Sequence, residues 1–400
     1  MSRQTFTRRR FLAGATGLGA ALALQPREVS AAVAETTLPP PSRSGLEHVV
    51  VVTMENRSFD HLLGWLPGAD GKQAGLTYRD RFGVRHATHR LAPDFQGCGF
   101  SDPAHTYDEL RISYDGGRCD GFLRAGRNDV YCIGYYTRRD LPFLGAAAPA
   151  WTACDRYFAP MMGPTVPNRM YLHAARTDRI ADLPLPTVLP TIWDLLADNG
   201  VRARYYRSTF SYLSLWGPKY LPITRELTDF LGDCRTGDLP AVSYVDPIFS
   251  LSFLGVGNSD HPHIDIRTGE SFMSRIYNAV TTSPAWPRTL LVFTFDESGG
   301  FFDHVAPALA PDGNPLHSLR GFRVPAILIS PYARRGHVDH GVYDHTSILK
   351  LIEWRFGLPF LSSRDAAAKN LADALDFSRR DVRAPRFRVP RVTESPLCPV

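Results

Sequence analysis

Four apolar runs interrupt the polar background of this chain, and each stops abruptly. VVVVTM at 49–54 halts at Glu55-Asn56-Arg57-Ser58, PAVSYV at 240–245 at Asp246, PRTLLVFTF at 287–295 at Asp296-Glu297, and VPAILIS at 324–330 at Pro331. Unbroken β-branched runs of this length lack the alternation of a half-exposed strand and predict strands buried on both faces, as in a parallel sheet. Between them, apolar residues recur at helical spacing in TIWDLLADNG, stopped by Gly200, in ESFMSRIYNAVTTS, and in HTSILKLIEWRFG, stopped by Gly357. Strands alternating with helices predict an α/β fold: a mostly parallel central sheet flanked by helices, with its ligand site outside the C-terminal strand ends.

The other segments carry weaker periodicity. Residues 67–150, rich in Gly, Arg, Asp and Tyr, read as an insertion capping that sheet edge; residues 35–45 are a Pro/Ser linker, and residues 378–400 an extended Pro/Arg-rich tail. Residues 46–377 are the expected catalytic domain. At the N-terminus, Thr7-Arg8-Arg9-Arg10-Phe11-Leu12 and the short apolar region 12–24 form a twin-arginine export signal, with Ala32-Val33-Ala34 offering a cleavage site after Ala34. The implied destination is secreted, periplasmic or cell-wall associated, reached through the twin-arginine machinery. Residues 1–34 hold five arginines against Glu28, so they account for most of the net charge of +5 and leave no basic surface that implies nucleic acid. The six cysteines show no zinc-finger spacing; buried thiols with one or two bridges are expected, the pairing being open.

Two adjacent acids leaving a buried strand need a positive partner. Asp296-Glu297 alone reads equally well as a salt-bridged cap, but Glu55-Asn56 at the end of another strand favours a shared cation. In GPTVPNRMYLHAA (163–175), two prolines fix the backbone and place Thr165 at a helix start, where free N–H groups favour an anion. By itself Thr165 reads as an N-cap; beside a metal it becomes a candidate nucleophile. His105, His261 and His304 are candidate proton donors, His304 foremost because it follows the acid pair within seven residues.

These residues resemble a known family, the bacterial phosphoesterases that group secreted phospholipases C with acid phosphatases and are related to the alkaline phosphatase superfamily. The resemblance runs over residues 46–360, in HVVVVTMENRSFDHLLG (48–64), GPTVPNRMYL (163–172), SDHPHIDIRTGESF (259–272), TLLVFTFDESGGFFDHV (289–305), and VPAILISPYARRG (324–336) followed by DHTSILKLIEWRFGLP (344–359). It implies an alkaline-phosphatase-like fold, with Glu55, Asn56, Asp296 and Glu297 as ligands of one divalent metal ion, Thr165 as metal-bound nucleophile, and His105, His261 and His304 around the phosphate. Oxygen donors favour Ca²⁺, Mg²⁺ or Mn²⁺, with Zn²⁺ compatible. Ser298 stands where family members often carry His, and the C-terminal domains of larger phospholipases are not among these residues.

The expected activity is phosphoric ester hydrolysis: a phospholipase C cleaving phosphatidylcholine-like lipids through a phosphothreonine, in peripheral contact with a membrane surface. The alternatives are an acid phosphatase acting on small phosphomonoesters and, in another class, a non-catalytic phospholipid- or phosphate-binding protein. A sulfatase-like reading is echoed by Thr165-Val166-Pro167-Asn168-Arg169. Threonine cannot supply formylglycine, so phosphoester chemistry is preferred.

Overall fold

The computed structural model describes residues 38–249 and 255–398. The export signal expected at 1–34 lies outside them. Eight strands form the central sheet: β1 His48–Met54, β2 Thr152–Cys154, β3 Ala203–Arg207, β4 Thr224–Glu226, β5 Val242–Val245, β6 Thr289–Phe295, β7 Ala326–Ile329 and β8 His337–Asp339, in the spatial order β8-β2-β7-β6-β1-β5-β3-β4. Every residue of β6, and all of β1 after His48, is buried, which is why both are apolar without alternation. The fold is α/β with a mostly parallel sheet, β7 alone pairing antiparallel with β6 and β2.

The expectation of a mostly parallel sheet leaves the direction of each strand open, and β7 is the one that runs against its neighbours. A strand buried on both faces has the same apolar pattern in either direction. Its start, not its end, lies beside the C-terminal ends of β1 and β6: the Phe59 N–H donates to the carbonyl of Arg323 at 2.9 Å.

The pairing of β1 with β6 determines which side chains meet at that edge. Their register sets Met54 opposite Phe295, so Glu55 and Asp296 leave the sheet side by side, and the Asp296 N–H donates to the Met54 carbonyl at 3.1 Å. On the other flank of β1, Val52 pairs with Val245, which brings Asp246 to the same edge.

Residues 67–150 carry two small strand pairs, Thr77–Arg79 with Arg85–Ala87 and His89–Arg90 with Gly134–Tyr135, and helix α1, Tyr107–Tyr114. Tyr78, Leu110, Phe122 and Ile133 from this segment share a second apolar cluster with Met162, Phe302 and Phe322. Phe122, Tyr131 and Tyr136 are buried, so core packing accounts for them. The tail after Phe377 runs without helix or strand to residue 398, stacks Phe387 on Tyr277 at 4.9 Å between centroids, and ends in a Cys98–Cys398 disulfide. Cys119, Cys132, Cys154 and Cys234 are buried free thiols.

The helix His345–Phe356 carries a buried acid, Glu353, whose carboxyl is pushed up to about 10 by burial and then by neighbouring Asp365. The folded state keeps this proton where the unfolded chain loses it, so stability falls as pH rises from the ordinary glutamate range toward the folded value. The Glu353→Gln variant is expected to unfold at a higher temperature than wild type at pH 8, with the gap closing below about pH 4.5. Thermal unfolding across that range checks this; a gap independent of pH would refute the ionisation as its source.

Candidate active site

The strand ends are locked together before any catalytic side chain is considered. Glu55 donates its N–H to the Ser259 carbonyl at 2.8 Å, and Asn56, held at φ 59°, donates its N–H to Asp296 Oδ1 at 3.0 Å. Asp296 Oδ1 also accepts the Glu297 N–H at 2.7 Å. The turn after Glu297 requires glycine: a Cβ on Gly299, itself at φ 59°, would lie 2.1 Å from the Asn56 carbonyl oxygen.

Thr165 opens helix α2, Thr165–Ala174. Its N-cap is Pro164, with no side-chain cap, so the hydroxyl is free for another partner. It donates to Asn56 Oδ1 at 3.3 Å, and Thr165 remains 8% exposed, reachable from outside. Asn168 braces the approach loop, its amide donating to the carbonyls of Gly163 and Pro164 and its oxygen accepting the Met161 N–H at 3.0 Å. The strand-end acids and Thr165 are therefore brought together.

Beneath them lies a residue the sequence reading passed over. Arg169, one helical turn after Thr165, is buried and reaches Asp246 Oδ1 at 3.1 Å, Asp296 Oδ2 at 3.3 Å and Glu55 Oε1 at 3.6 Å. Tyr212 and Phe249 pack their rings against the guanidinium at 4.6 Å, and the Tyr212 hydroxyl donates to Glu55 Oε1 at 3.0 Å. Asp246 was visible as the residue ending a strand and Arg169 as the i+4 neighbour of Thr165; what was missing was the pairing that makes them meet. Even so, burial raises Glu55 to about 8 and Asp246 to about 7 and lifts Glu297 well above the carboxylate range, the Asp296 charge adding to each.

The histidines divide. His105 Nε2 lies 3.4 Å from Asn56 Nδ2, and its Nδ1 donates to the Pro103 carbonyl at 2.6 Å. Burial lowers the His105 pKa, but Glu297 and Asp102 outweigh it and bring it to about 9. His261 stands with its ring 6.2 Å from that of His105 and is lowered, first by burial. His304 is turned elsewhere: Nδ1 faces Asp60 Oδ2 at 2.5 Å and Nε2 faces Asp70 Oδ1 at 3.1 Å. Its nearness in sequence to Glu297 misleads because Gly299 and Gly300, both at positive φ, reverse the chain, and the buried Phe301 and Phe302 intervene.

Among the described residues three ligand side chains converge in one group, while the Thr165 edge offers oxygen donors without that convergence. Asp60, Asp303 and His304 bring ligand atoms within 4.8 Å of one another, but Arg323 already pairs with Asp303 at 2.9 Å and Asp60 at 3.1 Å. At the Thr165 edge, Glu297 Oε1 is buried without a hydrogen-bond partner, and Glu55, Asn56, Asp296 and Glu297 offer hard oxygens. That orphaned oxygen fits a cation.

A family model described as the Phosphoesterase family matches residues 46–359. The chain belongs to this family. It is accordingly a phosphoric ester hydrolase, and the matched range spans the five sequence blocks that carry the resemblance. Phospholipase C A of Mycobacterium tuberculosis is 30% identical, over 93% of this chain and 85% of that protein. Phospholipase C B of the same organism is 30% identical over 98% and 90%, and non-specific phospholipase C1 of Arabidopsis thaliana 30% identical over 81% and 69%. Among solved structures, the lipoteichoic acid synthase LtaP from Listeria monocytogenes matches with a TM-score of 0.42 at 8% identity, covering 82% of this chain and 77% of that one.

The load on Arg169 is testable in this phosphoesterase. Removing one partner of a buried ion cluster leaves uncompensated charge, at a cost of about 3–5 kcal/mol. Arg169→Met is expected to lower the denaturant midpoint correspondingly when measured with chelator present; an unchanged midpoint would show that the acids do not rely on the guanidinium.

Proposed function

We propose that this phosphoesterase is an exported phospholipase C that cleaves phosphatidylcholine-like lipids to diacylglycerol and a phosphorylated headgroup, through a phosphothreonine at Thr165. The observation that carries the reading is the Thr165 hydroxyl, at the start of a buried helix, hydrogen-bonded to an Asn56 that the acid pair itself fixes. The names of the relatives support a phospholipid as the ester, and the twin-arginine pattern at residues 7–12 supports export.

Asn56 orients Thr165 so that its oxygen, having given its proton to solvent, attacks phosphorus in line with the departing glycerol oxygen and leaves again in the same deprotonated form. As the phosphorus–glycerol oxygen bond breaks, His261 gives that oxygen a proton; it then takes one from the water that attacks phosphorus and releases Thr165. His105, beside Asn56, holds a non-bridging oxygen, together with the N–H groups opening α2. Glu55, Asn56, Asp296 and Glu297 would hold the divalent ion, which when bound lowers the hydroxyl pKa and neutralises phosphoryl charge. His304 is assigned no proton transfer; with Asp60, Asp70 and Arg323 it fixes the loop after Phe302.

Phosphatidylcholine and a chromogenic phosphomonoester, each offered with and without chelator, separate the readings. The expected products are diacylglycerol and phosphocholine, lost on chelation. Thr165→Ala is expected to lower kcat by roughly 10³-fold or more without shifting the unfolding midpoint, and to abolish the phosphothreonine trapped by acid quench. Turnover of the monoester alone would make the enzyme an acid phosphatase, and binding without turnover a phosphate-binding protein.

A further inference from the structure

We propose that residues 178–189 form a strap that covers the Thr165 site in water and withdraws from it at a phospholipid surface, the Asp182 carboxylate standing meanwhile where a substrate phosphoryl oxygen belongs. The proposal rests on the phospholipid reading and adds the means by which a lipid surface gains access to that site.

The first observation is at the helix start. Asp182 Oδ1 accepts the N–H of Val166, the residue after the nucleophile, at 2.6 Å. Val166 is the second residue of α2, and its N–H is one of the unsatisfied donors that an incoming phosphoryl oxygen would use. A carboxylate there also adds negative charge beside Asp296 and Glu297, which repels an anionic ester. Substrate and Asp182 cannot hold that N–H together, so turnover requires Asp182 to leave.

The second observation is the segment that carries it. Residues 182–191 have no helix or strand, and their shape depends on side chains: Arg179 donates to the carbonyls of Leu183 and Leu185 at 2.6 and 2.7 Å, and the Thr187 hydroxyl donates to Asp178 at 2.7 Å. The strap is pinned where it rejoins the domain, the Thr187 N–H donating to the Leu215 carbonyl at 2.8 Å and the Trp216 indole to the Leu189 carbonyl at 2.7 Å. Along the strap its apolar residues face water: Ile180 is 37% exposed, Leu183 49%, Leu185 58% and Val188 97%. Four exposed aliphatic side chains within nine residues are a surface that a bilayer interface would bury. Their backbone is the one that aims Asp182 at Val166, so insertion of Leu183 into lipid pulls on the carboxylate one residue away. A diacyl phosphodiester brings its own acyl chains to this same rim, which makes a lipid surface the fitting occupant.

The test measures hydrolysis of soluble chromogenic phosphocholine and phosphate esters, with and without vesicles of digalactosyldiacylglycerol, a lamellar lipid without a phosphoester. Wild type is expected to accelerate about fivefold or more on whichever soluble ester it turns over when vesicles are present. Asp182→Ala is expected to show a lower KM and the accelerated rate without vesicles, and no further response to them. A triple variant, Ile180→Ser, Leu183→Ser and Leu185→Ser, is expected to keep the vesicle-free rate, to lose the acceleration, and to stop co-sedimenting with the vesicles. Loss of activity in Asp182→Ala would make Asp182 part of the catalytic machinery and overturn the strap, as would a wild type indifferent to vesicles or a triple variant that still responds. Failure of the phospholipid reading has a separate signature, phosphatidylcholine left intact by wild type and Asp182→Ala alike, while the response of the soluble ester still decides the strap.

Discussion

A single guanidinium, buried between three strand ends, is the constraint on which the catalytic edge depends. Parallel pairing of β1 with β6 and β5 forces Glu55, Asp296 and Asp246 to leave the sheet together, and three carboxylates out of water at that spacing would push one another apart or protonate. Arg169 reaches all three, and it does so from the helix that begins with Thr165. The contact that makes the acids tolerable thus also fixes where the hydroxyl sits, because four residues of rigid helix separate the two. Positioning of the Thr165 hydroxyl and neutralisation of its surroundings are one structural event.

The same device recurs around the edge. Arg57, next to Asn56, donates to the Asp260 carbonyl at 2.7 Å and stacks on Phe301 at 4.6 Å, tying the Asn56 loop to the loop bearing His261 and to the chain beyond Glu297. The His261 loop is held from its other side by the tail: the Asp265 N–H donates to the Ser395 hydroxyl at 2.8 Å, three residues before the Cys98–Cys398 bridge. A loop supported only from within the domain would be free to move its histidine. Here an extended segment with no core of its own gains a purpose as an external clamp, and the disulfide keeps it in place.

How much of this was legible depends on range. β1, β5 and β6 could be read because burial on both faces leaves an unbroken apolar run, and α2 because Pro164 and Pro167 mark its first turn. Neighbour relations were not legible: nothing local in PRTLLVFTF says that it pairs with VVVVTM, or that VPAILIS runs the other way. His304 was misplaced for the same reason, since seven residues from Glu297 look short until two glycines at positive φ reverse the path. Thr165 read alone as a helix cap, and only the proline before it, which takes the cap position, releases its hydroxyl. Asp182 left no signal at all, lying in a segment without periodicity whose meaning comes from one backbone N–H sixteen residues earlier.

Two acid clusters among the described residues differ in how their charges are paired. Around Asp60, Asp303 and Asp70 stand Arg323, Arg156 and a His304 whose two ring nitrogens both face carboxylates, so positive groups match negative ones. Around Thr165, the Arg169 guanidinium reaches Glu55, Asp246 and Asp296, His105 and His261 stand beside Asn56, and a Glu297 oxygen is left without a partner. A structural cluster evolves toward balance because every unpaired buried charge lowers stability. Burial holds Glu55 at about 8, Asp246 at about 7 and Glu297 well above the carboxylate range, and these protons are what a divalent ion bound beside the Thr165 hydroxyl would displace. The way the acids are paired, more than their number, distinguishes the Thr165 edge from the Asp60 cluster.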